Sequence, residues 1–179
     1  MSRLEEILRD TTGAEIAELA AVLPVLFTVL LGIFFFGRAY NLYGTLNQAA
    51  LQGARAAVAP TCATCGNTPV PANLIATNYV APVLQASHLD PTFVTYVAPT
   101  SCQCGSAGCA ATVTTCDATG TGATPSICVQ RNIALNTAGN PQVCGALVTF
   151  QYTYTFNLPF TPFSIPIKAT AQMRQEDQQ

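Results

Sequence analysis

The segment Leu19–Phe36 reads LAAVLPVLFTVLLGIFFF, eighteen consecutive residues without a formal charge. At a rise of about 1.5 Å per residue, a helix of this length spans about 27 Å, close to the hydrocarbon thickness of a bilayer. Pro24 lies inside the run, where it is expected to bend or loosen a membrane helix without ending it. The sequence therefore predicts one transmembrane segment, covering about residues 16–36.

A cleaved secretory signal peptide is the alternative explanation of this apolar run. The apolar region of a signal peptide usually has about 7 to 15 residues and is soon followed by a small-residue cleavage site. Here the run is longer, and it ends in FFFGR at residues 34–38. These features favour an anchor that stays in the protein.

Helical spacing continues beyond the apolar run. Apolar or small residues recur every three or four positions at Leu42, Leu46, Ala49, Gly53 and Ala57, and the first helix breaker is Pro60. The pattern predicts one long helix from about Ala14 to Val58, with its first half in lipid and its second half outside. The small residues of the second half allow close approach of either another helix or the chain's own domain.

Composition limits what the rest of the chain can do. The 179 residues include 9% charged residues and carry a net charge of −2, without a basic cluster. This charge pattern lacks the electrostatic footprint that nucleic-acid binding requires, so we expect no nucleic-acid partner. Residues 59–179 are enough for one domain, and no motif in them indicates a cofactor.

All eight cysteines follow the apolar run: Cys62, Cys65, Cys102, Cys104, Cys109, Cys116, Cys128 and Cys144. An even number on one side of a membrane predicts disulfides in an oxidising compartment, with the C-terminal domain periplasmic or extracellular. The cysteines decide the orientation because the basic residues do not: Arg3 and Arg9 precede the span, and Arg38 and Arg55 follow it. Eight cysteines allow 105 pairings, so the connectivity stays open.

Zinc binding and redox activity are the alternatives to structural disulfides. Cys62 and Cys65 have the spacing of zinc ligands, but structural zinc sites usually contain two such pairs and this chain has one. A redox-active CxxC would be expected at the start of a helix, whereas this one lies between Pro60 and Pro69. We therefore predict no metal site.

The outer domain is predicted to be α+β. Residues 73–87 have helical spacing, with Asn73 as the N-cap and Pro82 as a source of a kink. Residues 92–98 predict a strand, and residues 99–125 a loop held by disulfides. Residues 143–158 and 164–173 predict two antiparallel strands joined around residues 159–162, forming a sheet packed on the outer half of the long helix.

The first of these two strands carries an aromatic stripe. Phe150, Tyr152, Tyr154 and Phe156 alternate along it, so their side chains share one face. The stripe is expected to be the buried face of the sheet, covered by the long helix. A ligand-binding surface is the alternative.

Catalysis is not expected. The chain has one histidine, His88, whose only acidic neighbour in sequence is Asp90. A Cys–His nucleophile pair would need that histidine, and no paired-carboxylate, phosphate-binding or metalloprotease motif is present.

The N-terminal residues 13–24, GAEIAELAAVLP, resemble the opening of the TadE-like family, pseudopilins of the tight-adherence (Flp-type) pilus system. That family's pattern is a Gly, then a Glu, then an apolar run with Pro six residues after the Glu, as in Gly13, Glu18 and Pro24. The sequence AALQGARAA at residues 49–57 is similar to an Ala-rich stretch of the family. Leu19 departs from the pattern, which more often has an aromatic residue there, and so does the cysteine-rich region 99–128.

The resemblance implies how the protein is processed and assembled. A prepilin peptidase would cut between Gly13 and Ala14 on the cytoplasmic side, removing residues 1–13 as a leader. The mature chain would then consist of the helix 14–58 and the domain 59–179. Glu18 would be its fifth residue, and the resemblance implies that this carboxylate pairs with the α-amine of a neighbouring pilin-like subunit. Pro24 would belong to the same assembly segment.

The expected function is that of a minor pilin or pseudopilin in the bacterial inner membrane, which can enter surface filaments. Its partners would be prepilin peptidase, other pilin-like subunits and pilus assembly proteins. The alternative is a single-pass membrane scaffold or adhesion protein that does not enter a filament.

Overall fold

The computed structural model of the chain describes residues 11–59, 68–117, 125–136, 142–157 and 162–175. The order of elements is a long helix, a short helical segment and an antiparallel sheet with a disulfide-bonded loop region. This α+β architecture confirms the predicted fold class. Residues 1–10 of the predicted leader, Cys62 and Cys65, and the connection at residues 158–161 lie outside the described residues.

The long helix α1 extends from Thr11 to Val58 and is continuous through Pro24. Proline lacks an N–H, so the backbone bond from residue 24 to the carbonyl of Ala20 cannot form. Four residues later, the Thr28 hydroxyl donates a hydrogen bond of 2.7 Å to the carbonyl oxygen of Val25. From Ile16 onward, α1 is long and apolar enough to cross a membrane. It is the one such helix in the part of the chain that the structure describes.

The chain divides into two compact units, Met1–Leu42 and Tyr43–Gln179. In the first unit, the large apolar side chains of residues 16–36 are exposed, among them Leu23, Phe27 and Phe36. In the second unit, residues 43–58 of α1 pack with the sheet. There Leu46, Ala49, Ala50 and Ala54 are fully buried.

A short helical segment follows, made of α2 (Ala72–Ile75), a π-helical turn (Ala76–Val80) and α3 (Ala81–Ala86). The predicted cap is wrong: the N-cap residue is Pro71, and Asn73 lies inside the helix without capping it. Pro82 does not end the helix. The wide π turn directly before α3 provides the local adjustment that accommodates a proline ring.

The sheet is built around β5 (Cys144–Asn157). Along one edge β5 pairs with the whole of β6 (Pro162–Arg174), from Gly145 opposite Arg174 to Asn157 opposite Pro162. Its other edge pairs first with β4 (Cys128–Ala134) and then with β1 (Val94–Thr95). The β5–β6 pair confirms the two predicted antiparallel strands, whereas β4 is absent from the sequence-based predictions.

The strand β1 is shorter than the predicted strand at residues 92–98. Asp90 accepts hydrogen bonds from the backbone N–H and the hydroxyl of Thr92, at 2.9 Å and 2.8 Å. These bonds start a 3₁₀ turn at Pro91–Phe93 and also lower the pKa of Asp90. Side-chain capping therefore competes with extended structure at the start of this segment.

The disulfide-bonded region lies beside β4 and contains two short strands, β2 (Ser101–Cys102) and β3 (Thr112–Val113), that pair with each other. It was predicted as a loop without regular structure. The buried side chain of Gln130 in β4 holds this region in place. Its amide donates to the carbonyl oxygens of Pro99 and Val113, and its oxygen accepts from the Ser101 hydroxyl at 2.8 Å.

Candidate assembly site

The residues of the predicted processing site lie at the start of α1. The helix begins at Thr11, so the backbones of Gly13 and Ala14 belong to its first turn. A protease binds its substrate in extended form, and the first turn of a helix is the part most easily opened because its N–H groups have no intrahelical partners. Glycine lowers helix stability by about 1 kcal/mol relative to alanine, which favours opening at this position.

Glu18 lies one turn further along α1, and its side chain is exposed. It is followed by the apolar residues of the predicted span, which are exposed around the helix. A carboxylate beside such a run is costly in lipid unless it meets a counter-charge or reaches the headgroup layer. Glu18 and Pro24 are thus on one continuous helix, six residues apart.

At the other end of α1, the helix is fastened to the sheet by a close contact. A Cβ atom added to Gly53 would lie 3.1 Å from Val80 Cγ2 and 3.3 Å from Val148 Cγ1. Val80 belongs to the π turn and Val148 to β5. The absence of a side chain at Gly53 therefore lets the helix approach both elements at once.

The aromatic stripe of β5 lies on the same face of the sheet as Val148. Phe150 and Tyr152 are buried, and Tyr154 and Phe156 are half-buried. The half of the stripe nearest to Val148 is buried, as expected, whereas the other half is only partly buried. Tyr154 and Phe156 contact each other edge to face, with ring centroids 4.6 Å apart.

Arg131 joins three parts of the outer unit. From β4 its guanidinium forms an ion pair with Asp117 and donates hydrogen bonds to the carbonyl oxygens of Val70 and, at 3.4 Å, of Ala57. Ala57 lies in the last turn of α1, where the helix dipole favours a positive charge. Burial lowers the pKa of Arg131, but an arginine keeps its charge at neutral pH.

Three disulfides cross-link the described part of the outer unit: Cys102–Cys109, Cys104–Cys144 and Cys116–Cys128. The first closes the turn between β2 and β3. The second joins the loop region to the first residue of β5, and the third lies next to the bridge between Asp117 and Val129. All six cysteines within the described ranges are thus paired.

His88 closes the short helix α3. Its backbone has a positive φ of 58°, its N–H donates to the Gln85 carbonyl, and the N–H of Leu89 donates to the Leu84 carbonyl. These two bonds form a Schellman motif, which ends a helix. The side chain of His88 is exposed. Because the described cysteines are all in disulfides, none of them offers His88 a thiol partner.

Comparisons with known proteins bear on the first part of the chain. Residues 13–55 match the family model described as TadE-like protein. This match confirms the resemblance, and it covers Gly13, Glu18, Pro24 and Gly53. No curated protein and no solved structure gave a significant match.

The TadE-like match supports a pilin-like role associated with the tight-adherence pilus, in partnership with other membrane proteins of that system. The family is structural rather than enzymatic. The match ends at residue 55, before the sheet, the disulfides and Arg131.

Sequence reasoning missed the contribution of Arg131 and Gln130. Arg131 is one of four formal charges between Ala59 and Thr170, and Asp117 is another. The scarcity of charges was a signal for both residues, but it did not distinguish Asp117 from Asp90 as the partner of Arg131. Nothing in the sequence pattern marks Gln130.

Proposed function

We propose that the protein is a minor pilin or pseudopilin of a tight-adherence pilus, held in the bacterial inner membrane by residues 16–36 with its C-terminal domain in the periplasm. A prepilin peptidase removes residues 1–13 by cutting between Gly13 and Ala14. The observation that carries this proposal is the TadE-like match over residues 13–55, which joins the cleavage motif to an apolar helix.

The properties of the helix support the proposal. The exposed apolar surface of residues 16–36 suits lipid before assembly and neighbouring helices afterwards. Glu18 provides a carboxylate that the new α-amine of an adjacent subunit neutralises. The three disulfides of the outer unit are typical of an oxidising compartment, which supports the periplasmic side.

The cleavage step is tested with Gly13→Val and the neighbouring control Thr12→Val, by N-terminal sequencing of the membrane-extracted protein from cells that express the pilus system. The β-branched side chain at Gly13 is expected to block cleavage, so the chain keeps its first thirteen residues. The control is expected to begin at Ala14. If the wild-type protein keeps its original N-terminus in such cells, processing after Gly13 is excluded.

The assembly step is tested separately with Glu18→Gln, using Glu15→Gln as a matched control. Glu18→Gln should be cleaved normally but reach sheared surface filaments at least about tenfold less, since loss of one ion pair in lipid removes more than about 1.4 kcal/mol. Glu15→Gln should assemble as wild type. Cleaved wild-type protein that is missing from the filaments would instead support the membrane scaffold.

A further inference from the structure

The strand β6 pairs with β5 on one side, and no described strand pairs with its outer edge. Every residue from Pro162 to Arg174 lies opposite one residue of β5, without a register shift. Just beyond this pairing, the backbone N–H of Gln175 donates to the Cys144 carbonyl at 2.9 Å. In an antiparallel pair, the direction of the backbone groups alternates from residue to residue. The odd-numbered residues of β6 therefore direct their backbone groups to β5, and the even-numbered residues direct theirs to the outer edge.

Proline divides this outer edge into a blocked part and an open part. Pro162 and Pro166 occupy even-numbered positions, where each removes an outward N–H that a further strand would need. No proline follows Pro166 in β6. We define the open edge as residues 168–174. Its outward-directed positions, all exposed, are Lys168, Thr170, Gln172 and Arg174.

The charged side chains of the open edge have no counter-charge among the described residues. Lys168 and Arg174 are six residues apart, so alternation along the strand puts them on the same face of the sheet. The described part of the outer unit contains two carboxylates, Asp90 and Asp117. Asp90 is bonded within its own turn, and Asp117 is paired with Arg131. The open edge therefore presents two positive charges, about 20 Å apart, that are available to a partner.

We propose that the open edge binds an extended acidic segment of another protein, which adds to the sheet as a further strand beside β6. An added strand satisfies the outward backbone groups, and this gives affinity without a deep pocket. In an antiparallel partner, two carboxylates six residues apart lie opposite Lys168 and Arg174. Opposite charges at such cross-strand positions stabilise the pair. The proposal does not depend on the proposed function.

A second copy of β6 is the alternative occupant. In the antiparallel register that uses all of residues 168–174, this strand pairs with itself about Ala171. Lys168 of one copy then lies opposite Arg174 of the other, at both ends of the contact. Like charges directly opposite each other are destabilising, and charged side chains commonly protect edge strands from such pairing. The same two charges accept an acidic segment.

The charge preference is tested with two end-blocked peptides, EVTVTVE and its charge-reversed control KVTVTVK. The full chain is held in nanodiscs of zwitterionic lipid at low ionic strength, and the fluorescence anisotropy of each labelled peptide measures binding. EVTVTVE should bind at least about tenfold more tightly than KVTVTVK, because two attractive cross-strand pairs replace two repulsive ones. The double variant Lys168→Glu/Arg174→Glu should reverse this preference, since both side chains are exposed and only their charge is changed.

Backbone pairing is tested on the peptide, which leaves the protein unchanged. When the glutamates of EVTVTVE lie opposite Lys168 and Arg174, the N–H groups of its two threonines face β6, and those of its valines face away. Methylation of both threonine nitrogens should therefore weaken binding at least about tenfold, since it removes two backbone hydrogen bonds. Methylation of two valine nitrogens is the matched control and should change binding less than about twofold.

No binding of EVTVTVE, equal binding of the two methylated peptides, or the same charge preference in the double variant would overturn the proposal. So would chains that bind no EVTVTVE but self-associate in detergent and lose this association in Thr170→Pro, which would identify a second copy as the occupant. Alkylation of free thiols verifies that each variant keeps its disulfides. If a variant does not, the methylated peptides still decide with the wild-type chain. Cleavage after Gly13 does not enter these measurements, so the proposed function can fail independently.

Discussion

At the scale of single residues, Arg131 links three segments of the outer unit, because its guanidinium serves one acceptor on each of them. Arg131→Met keeps much of the apolar stem but leaves the Val70 and Ala57 carbonyls and the Asp117 carboxylate without this donor. We expect a loss of about 2–3 kcal/mol in the free energy of unfolding. Guanidinium unfolding of the full chain in detergent, followed by near-UV circular dichroism, measures it.

Asp117→Asn is the matched control for this prediction. The Asp117 side chain is 51% exposed, and solvent-exposed ion pairs contribute less than about 1 kcal/mol. A small effect of Asp117→Asn beside a large effect of Arg131→Met would assign the stabilisation to the two carbonyl contacts. Equal effects of the two variants would contradict this assignment.

At the scale of elements, the sequence predicted the helix and strands that have a regular side-chain pattern. It missed the strand in which that pattern is interrupted. The helix α1 and the strands β5 and β6 were predicted because each repeats its own period over many residues. The strand β4 was missed. It contains a bulge between Gln130 and Ile133, and Asn132 there has a positive φ of 54°. A bulge shifts the alternation of side chains by one residue, so the period of two is lost.

At this scale, the prediction tests the close contact between α1 and the sheet. Gly53→Leu places a side chain where Val80 and Val148 already lie, and overpacking of this kind costs about 1–3 kcal/mol or more. Gly44→Leu is the control in the same helix, because a Cβ at Gly44 meets no atom within 4 Å. We expect Gly53→Leu to lower the unfolding midpoint in guanidinium.

Gly44→Leu should leave the midpoint unchanged or raise it, since leucine is the better helix former by up to about 1 kcal/mol. Similar midpoints for both variants would show that the helix does not depend on close contact at Gly53. The Ala-rich sequence had left two explanations open for this surface, a partner helix or the chain's own domain. The contacts of Gly53 assign this position to the chain's own domain.

At the scale of the whole molecule, the candidate site could be predicted only where it depends on local sequence. Gly13, Glu18 and Pro24 lie within twelve residues, so their spacing could be recognised directly. The disulfides of the outer unit depend on which distant residues the fold brings together. Cys104 and Cys144 are 40 residues apart, and they meet because Gln103 bridges to Ile133 in β4, the strand that pairs with β5.

This separation predicts how the disulfides differ in their contribution to stability. In the chain-entropy description, a cross-link stabilises more when it closes a longer loop. Cys104–Cys144 closes a separation of 40 residues and Cys102–Cys109 one of 7. Replacing both cysteines by serine is expected to cost about 4 kcal/mol for the first pair and about 2 kcal/mol for the second.

The two double variants have the same composition, so guanidinium unfolding of each in detergent compares the cross-links directly. The larger fall in midpoint should belong to the Cys104–Cys144 variant, because that cross-link also fixes the loop region to the first residue of β5, where Cys144 pairs with Ala134. Equal or reversed midpoints would mean that the loop region is held mainly by Gln130 and its hydrogen bonds to Pro99 and Val113. The stability of the outer unit would then depend on these hydrogen bonds rather than on covalent closure.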